Sequence, residues 1–98
     1  MEWIELEHPG LMLKKDYLDE IGIKPGTLAK AVGMDRAAIK RICDGERDIS
    51  AETSMRLGEF LGISHEFWHN VQKDYDMRMA KRASLERVRA EVTPMKAA

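Results

Sequence analysis

Glycines divide this chain into short segments whose apolar residues repeat with helical spacing. Gly22, Gly33, Gly45 and Gly62 each follow such a segment. Glycine often ends a helix because it adopts the left-handed backbone conformation without a steric penalty. No segment alternates apolar and polar residues as a half-buried strand does. The spacing therefore predicts an all-α protein of five helices, built within the single domain that 98 residues allow.

Helix starts are expected at residues that favour a first turn. Pro25 suits the start of helix two because its missing N–H would have no partner there. Asp35, Ser50 and Ser64 are expected to cap helices three, four and five, since their side chains accept hydrogen bonds from the free N–H groups of a first turn. The residues expected to face the core are Leu13, Tyr17, Leu18 and Ile21 in helix one, Leu28, Ala29 and Val32 in helix two, Ile39 and Ile42 in helix three, Thr53, Leu57 and Leu61 in helix four, and Phe67, Trp68, Val71, Tyr75 and Met79 in helix five.

The two ends of the chain are less regular. A narrow apolar stripe lets helix five continue as far as Val92; it consists of Leu85, Val88 and Val92. We expect one domain over residues 1–82, with its helix-turn-helix at residues 25–43, and a tail over residues 83–98 that is helical or partly disordered. The apolar residues of the N-terminal arm are expected to pack on the domain or on a second subunit; they are Trp3, Ile4 and Leu6.

Composition excludes several classes of protein. No apolar run approaches the roughly 18 residues that a membrane span needs. The first ten residues are acidic and lack the basic-then-apolar layout of a signal peptide. A single cysteine, Cys43, excludes an internal disulfide and a cysteine-rich zinc site. We therefore expect a cytoplasmic protein that does not contact a membrane.

Charge is distributed unevenly along the chain. The net charge is −1, yet residues 24–47 carry six basic and three acidic side chains, and the segments on either side, 1–23 and 48–70, are acidic. Phosphate binding depends on the local potential within a Debye length of about 8 Å, not on the total charge. The basic block therefore favours a nucleic-acid surface, although solvated helix faces give the same pattern.

Helices two and three have the features of a helix-turn-helix. The small Ala29 lets two helices approach closely, and Gly33 permits a left-handed turn. Met34 is expected to fill the turn, while Ile39 and Ile42 seat the third helix on the core. The alternative is an αα-corner without a nucleic-acid function.

The side of helix three that faces away from these isoleucines is basic. It holds Arg36, Ala37, Lys40 and Arg41. A helix with an unburied basic face fits the major groove of B-DNA, which is about 12 Å wide. Arginine can donate two hydrogen bonds to O6 and N7 of one guanine, which contributes about 1–3 kcal/mol of discrimination. The pattern predicts that these four residues read bases.

The segment from His65 to His69 matches the H-E-x-x-H pattern of zinc peptidases. We reject a zinc site because the expected cap at Ser64 places His65 at the first helical position, and because no strand is predicted to hold a substrate. Glu66 is explained as a first-turn partner of the helix dipole. Cys43 is interpreted as a small buried hydrophobe and His8 as part of a helix start. The sequence thus predicts no enzyme activity, no metal and no cofactor.

The chain resembles the HigA/VapI-type antitoxins, which belong to the phage-repressor-like (Cro/repressor, XRE) helix-turn-helix proteins. The resemblance covers residues 7–82. Its marks are His8-Pro9-Gly10, Leu28-Ala29 through Gly33, Asp44-Gly45-x-Arg47-x-Ile49-Ser50, Thr53 to Leu57, and Glu66-Phe67-Trp68-x-Asn70-x-Gln72 through Tyr75-Asp76. The Phe-Trp-x-Asn block is much more specific than the helix-turn-helix itself, because it separates this family from generic repressors.

The resemblance implies a five-helix repressor-like DNA-binding domain with a C-terminal helical extension. It also implies a homodimer on a palindromic operator, a partner toxin that cleaves mRNA, and autorepression of the shared operon. By position, Arg36, Ala37, Lys40 and Arg41 fall on the base-facing side of the recognition helix. The residues expected near phosphates are Lys24, Thr27, Lys30 and Arg47, with Asp44 in the same turns.

Two departures from the family pattern bear on DNA affinity. Many relatives begin helix two with Ser-Gln, where this chain has Lys24-Pro25, so the glutamine contact to phosphate is missing. The loop after helix three often reads Asn-Gly-Lys-Arg and here contains Asp44 and Glu46. These carboxylates are expected to weaken DNA binding or to narrow the range of DNA sequences that are bound. A regulator without a toxin, or a protein-interaction module that has lost DNA binding, therefore remains an alternative.

Overall fold

The computed structural model describes residues 6–96, and this part of the chain contains helices and no strand. The predicted all-α class with five helices is confirmed. The first helix, α1, is continuous but changes type along its length, from Pro9–Met12 through a π-helical Leu13–Leu18 to Asp19–Ile21. The other helices are α2 (Pro25–Val32), α3 (Arg36–Cys43), α4 (Ala51–Leu61) and α5 (Phe67–Glu91).

The core lies where all five helices meet. Trp68 is its largest fully buried side chain. The Trp68 ring packs edge-on against Tyr17 and Phe67, with ring centroids 5.1 and 5.2 Å apart. The remaining buried hydrophobic residues are Leu13, Leu18, Leu28, Ala29, Val32, Ile39, Ile42, Cys43, Ile49 and Leu57. Most of the inward positions expected from helical spacing are therefore confirmed.

Two expected core positions are wrong. Ile21 is 55% exposed because it is the last residue of α1, beside the turn at Gly22. Met79 is 38% exposed because it lies beyond the part of α5 that packs on the domain. The buried side of α5 ends at Tyr75, and residues 76–83 are all exposed.

The helix starts of α3 and α4 lie where the sequence predicts them, but only Ser50 makes the expected capping hydrogen bond. The Ser50 hydroxyl accepts a hydrogen bond from Thr53 N at 3.2 Å, and Asp35 occupies the N-cap position of α3 without a side-chain bond. Ser64 does not cap α5, which begins two residues later with Glu66 as its N-cap. The reason is that Ser54 of α4 performs this role: its hydroxyl accepts from His69 N at 2.9 Å and donates to the carbonyl oxygen of His65 at 2.5 Å.

The start of α1 lies directly against the end of α3. A Cβ atom placed on Gly10 would overlap the carbonyl oxygen of Ile42. His8 fixes the backbone at this point, because it is the N-cap of α1 and its Nδ1 accepts a hydrogen bond from Gly10 N at 2.9 Å. The close contact between Gly10 and Ile42 therefore fixes α3 on α1.

The long helix α5 extends beyond the rest of the domain. Its 25 residues span about 37 Å at the usual rise per residue. It passes residue 82 without a break, so the proposed division between a domain at 1–82 and a tail stays a prediction. Trp3 and Ile4 lie outside the described residues, and Leu6 is half-buried. Within residues 6–96, no helix combines the length and apolarity of a membrane span.

Gly10→Ala is expected to destabilise the fold by about 1–3 kcal/mol, since the added methyl must displace backbone and not a flexible side chain. Urea unfolding followed by circular dichroism measures this change. Gly26→Ala is the matched control, because a Cβ there meets only the mobile side chain of Arg36. It should leave stability unchanged or raise it by less than about 1 kcal/mol. Equal stability of the two variants would contradict the account of the contact between α1 and α3.

Candidate nucleic-acid interface

The segment α2–turn–α3 forms the predicted helix-turn-helix. Gly33 ends α2 with φ at +69°, in the left-handed region that the sequence analysis expected. The amide of Met34 donates to Ala29 O at 2.9 Å, which closes the end of the helix. Ala29 is 2% exposed where α2 and α3 pack together, and Met34 is half-buried against the core.

Helix α3 has one buried and one exposed side. Ile39 and Ile42 are fully buried, and Cys43 beside them is 2% exposed, so burial raises the pKa of its thiol. The four residues predicted to read bases all lie on the exposed side; they are Arg36, Ala37, Lys40 and Arg41. The structure therefore presents this set together to solvent, along one face of an eight-residue helix.

The two arginines of this face are available for an external partner. Within residues 6–96, Arg36 and Arg41 make no side-chain hydrogen bond or ion pair. Arg36 extends over the start of α2, where a Cβ on Gly26 would lie 3.2 Å from its Nε. The guanidinium of Arg36 thus lies between the predicted base-reading face and the predicted phosphate-contacting end of α2.

Lys40 differs from the arginines because it is paired within the chain. Its Nζ lies 2.6 Å from Oδ2 of Asp44, one helical turn further on. The hydrogen bond and charge of Asp44, with a smaller contribution from Glu46, raise the pKa of Lys40. The departure at Asp44 therefore has a structural consequence: this carboxylate binds one cation of the exposed face.

The four residues predicted to contact phosphates are all exposed; three belong to α2 or its N-cap, and the fourth lies in a loop. Lys24 is the N-cap of α2 and has an extended backbone, and Thr27 follows in the first turn. Lys30 lies in the last turn of the same helix. Arg47 lies in the loop after α3, which turns at Gly45 with φ at +78°.

The loop that carries Arg47 is fixed by the buried side chain of Gln72. Gln72 Oε1 accepts a hydrogen bond from Ile49 N at 2.9 Å, and Gln72 Nε2 donates to Oδ1 of Asp76 at 2.9 Å. At the same loop, His8 Nε2 lies 3.3 Å from Oδ1 of Asp48. Gln72 is one of the marks of the family resemblance, but its role in the loop was not predicted, because the bond joins residues 23 apart in the chain.

Arg56 of α4 is a second residue that the sequence analysis missed. Its Nη1 donates to the carbonyl oxygens of Val32, at 2.8 Å, and Gly33, at 3.4 Å. Its Nε lies 3.6 Å from Oε2 of Glu52. The sequence contained one signal for this role: Arg56 is a basic residue in an acidic segment, four positions after Glu52. Spacing alone does not connect it to the turn at Gly33, which lies 23 residues earlier in the chain.

The H-E-x-x-H segment does not form a paired-histidine site on a helix. His65 was expected at the first position of helix five, which is wrong, because it lies in the turn before α5. Its Nε2 is 2.6 Å from Oε2 of Glu59, and this hydrogen bond raises the pKa of His65. In the part of the chain that the structure describes, no three His, Cys, Asp or Glu side chains are grouped to hold a metal ion.

Known proteins share this architecture. A family model described as "Helix-turn-helix" matches residues 14–68. Virulence-associated protein I of Dichelobacter nodosus is 36% identical over 74 residues, which cover 76% of this chain and 68% of that protein. The solved structure of the Pseudomonas aeruginosa antitoxin HigA with the higBA promoter superposes with a TM-score of 0.89 and 32% identity, covering 94% of this chain and all of the other. This chain belongs to the HigA-type antitoxins of the helix-turn-helix family.

A second antitoxin structure matches nearly the whole length of this HigA-type chain. The antitoxin GraA in complex with its operator has a TM-score of 0.89 at 27% identity, and the match covers 99% of this chain and 98% of GraA. The resemblance inferred from His8-Pro9-Gly10 and the Phe67-Trp68 block is therefore confirmed. Both marks have structural roles, since His8 caps α1 and Trp68 centres the core.

Gly33→Ala should destabilise this HigA-type chain more than Gly22→Ala. Both glycines have left-handed backbones, which cost an alanine about 1–2 kcal/mol. A Cβ on Gly33 would in addition lie 3.1 Å from Nη1 of Arg56, whereas one on Gly22 would meet nothing within 4 Å. Urea midpoints of the two variants measure the difference. Equal losses of stability in the two variants would show that the neighbouring Arg56 adds nothing to the cost of a side chain at Gly33.

Proposed function

We propose that this protein is a sequence-specific DNA-binding repressor that serves as the antitoxin of a toxin–antitoxin module. The observation that carries the proposal is the two-sided α3. Its apolar side is fully buried, and its exposed side presents Arg36 and Arg41 without partners among the described residues. Solved structures of HigA with a promoter and of GraA with an operator support the same use of the fold.

The proposed contacts follow from the dimensions of α3. With its side chains an α-helix is about 10–12 Å across, so α3 fits lengthwise into the major groove, which is about 12 Å wide. Arg36 and Arg41 would donate to guanine O6 and N7, Ala37 would contact a thymine methyl group, and Lys40 would reach a base edge after leaving Asp44. The phosphate contacts would come from Lys24, Thr27, Lys30 and Arg47.

The proposed assembly is a homodimer on a palindromic operator. Two copies of α3 would enter successive major grooves about 34 Å apart, because half-sites related by two-fold symmetry lie one helical turn from each other. The partner would be a toxin that cleaves mRNA, and toxin binding would adjust operator affinity. The chain would thus act by binding and not as an enzyme, in the cytoplasm where its operon lies.

The pairing of Lys40 with Asp44 favours one other candidate. A family member whose exposed cation is already neutralised could have become a protein-interaction module without DNA binding. The two candidates differ in salt dependence, because a DNA-binding protein releases counterions and weakens steeply as salt rises.

Replacing Arg36 and Arg41 together by alanine is expected to abolish operator selectivity. Each lost bidentate contact removes about 1–3 kcal/mol of discrimination. Fluorescence anisotropy with the DNA upstream of the protein's own gene, compared with a scrambled duplex, measures the loss. The fold should survive, since both side chains are exposed.

Arg78→Ala combined with Arg87→Ala is the matched control for this pair. It removes the same charge from the exposed side of α5, where Arg78 pairs with Asp74 and Arg87 reaches Ser84. Its operator selectivity should equal that of the wild type. An unchanged selectivity of the Arg36/Arg41 variant would exclude α3 as the reading helix.

Asp44→Asn is expected to strengthen DNA binding because it frees Lys40. The released Lys40 adds a cation to the surface that faces DNA, so the slope of log affinity against log salt should steepen by at most about 0.9, the value for one neutralised phosphate. Salt titration of the complex measures this slope. Asp74→Asn removes an equivalent partner, that of Arg78, and should change neither slope nor affinity. A weaker complex of Asp44→Asn would show that Asp44 supports binding and does not compete with it.

A further inference from the structure

The turn of the helix-turn-helix is held from outside by one side chain of α4. Arg56 is half-buried, and its Nη1 donates to the last carbonyl of α2, that of Val32, at 2.8 Å and to the next one, that of Gly33, at 3.4 Å. Its Nε faces Glu52 at 3.6 Å on the same helix. Arg56 therefore joins α4 to the point at which the chain leaves α2 for α3.

The chemistry of this point requires a donor. The final carbonyls of a helix have no intrahelical partner, and a cation there complements the negative end of the helix dipole. The turn amides of Gly33 and Met34 bond back to Ala29 and Lys30, so they do not serve Val32 or Gly33. Arginine suits the site because its planar fork offers several donors in fixed directions, which a lysine does not.

We propose that Arg56 is a positioning residue for DNA recognition. By holding the carbonyls of Val32 and Gly33 against α4, it fixes the direction in which α3 leaves the turn and hence the angle at which Arg36 and Arg41 enter the groove. Glu52 orients the guanidinium for this role. The inference rests on the proposed function and adds to it a residue outside the helix-turn-helix that sets its geometry.

Direct contact of Arg56 with DNA is the competing explanation. Arg56 is the only Lys or Arg between positions 48 and 70, a segment with four acidic side chains. Glu52 and Glu59 lie on α4, and Glu66 is the N-cap of α5. Such surroundings repel phosphate. Its Nη1 already donates to Val32 O and its Nε already faces Glu52, so the guanidinium is oriented toward the turn and not toward DNA.

The test compares Arg56→Met, Arg56→Lys and Glu52→Gln with the full-length wild type. Anisotropy titrations use the DNA upstream of the protein's own gene and a scrambled duplex over a series of salt concentrations, and thermal unfolding is recorded for each variant. Arg78→Met is the matched control, since Arg78 also pairs with a carboxylate four residues before it but lies on α5, away from the turn.

Arg56→Met should lower affinity for the upstream DNA about tenfold, the equivalent of one charged hydrogen bond, while remaining folded at room temperature. Affinity for the scrambled duplex and the salt slope should not change, because no phosphate contact is lost. Arg56→Lys and Glu52→Gln should lose less, in the same direction, and Arg78→Met should behave as the wild type.

Two results would overturn the inference on its own. A salt slope reduced by about 0.9 in Arg56→Met would identify a direct phosphate contact. Unchanged operator affinity together with a lower melting temperature would assign Arg56 to stability alone. If Arg56→Met does not fold, the same criteria apply to Arg56→Lys and Glu52→Gln. A wild type without preference for the upstream DNA would instead overturn the proposed function, and the inference with it.

Discussion

The burial of Ile39 and Ile42 is the interaction on which the rest of the structure depends. Both side chains are fully buried where α3 packs on α1 and α2, and Gly10 approaches the Ile42 carbonyl so closely that no side chain fits between them. With one side of α3 fixed in this way, the opposite side has to face solvent. The exposure of the basic face of α3 is thus a consequence of core packing, and its residues need no structural role of their own.

Polar side chains from other helices hold the irregular segments at both ends of α3. Arg56 of α4 bonds the turn before it, and Gln72 of α5 bonds the loop after it. Each supplies hydrogen bonds to backbone groups that a turn or loop leaves without partners. The segment 33–50 is therefore held in place by side chains that lie far away in the sequence, while Arg36 and Arg41 on its exposed side remain accessible.

Local signals in the sequence predicted what local physics determines. Gly33 as a left-handed turn, Ser50 as a cap and the inward positions of Ile39 and Ile42 were all confirmed. Ile21 and Met79 were wrongly placed in the core because spacing does not show where a helix ends or leaves the domain. The error at Ser64 has another cause, because there a distant group replaces a local one. Ser64 was expected to cap α5, but Ser54 already accepts the bond from His69 N. The roles of Arg56 and Gln72 were missed for the same reason. Spacing along the chain does not show which distant backbone groups lie next to a side chain after folding.

Backbone amide chemical shifts of the labelled protein, recorded as DNA from upstream of its own gene is added, test the central claim most directly. The account predicts that the largest shifts fall on α3, the start of α2 and the loop around Arg47, with α5 beyond Tyr75 unaffected. Shifts that spare residues 36–43 and concentrate elsewhere on the domain would contradict the assignment of α3 as the helix that reads DNA.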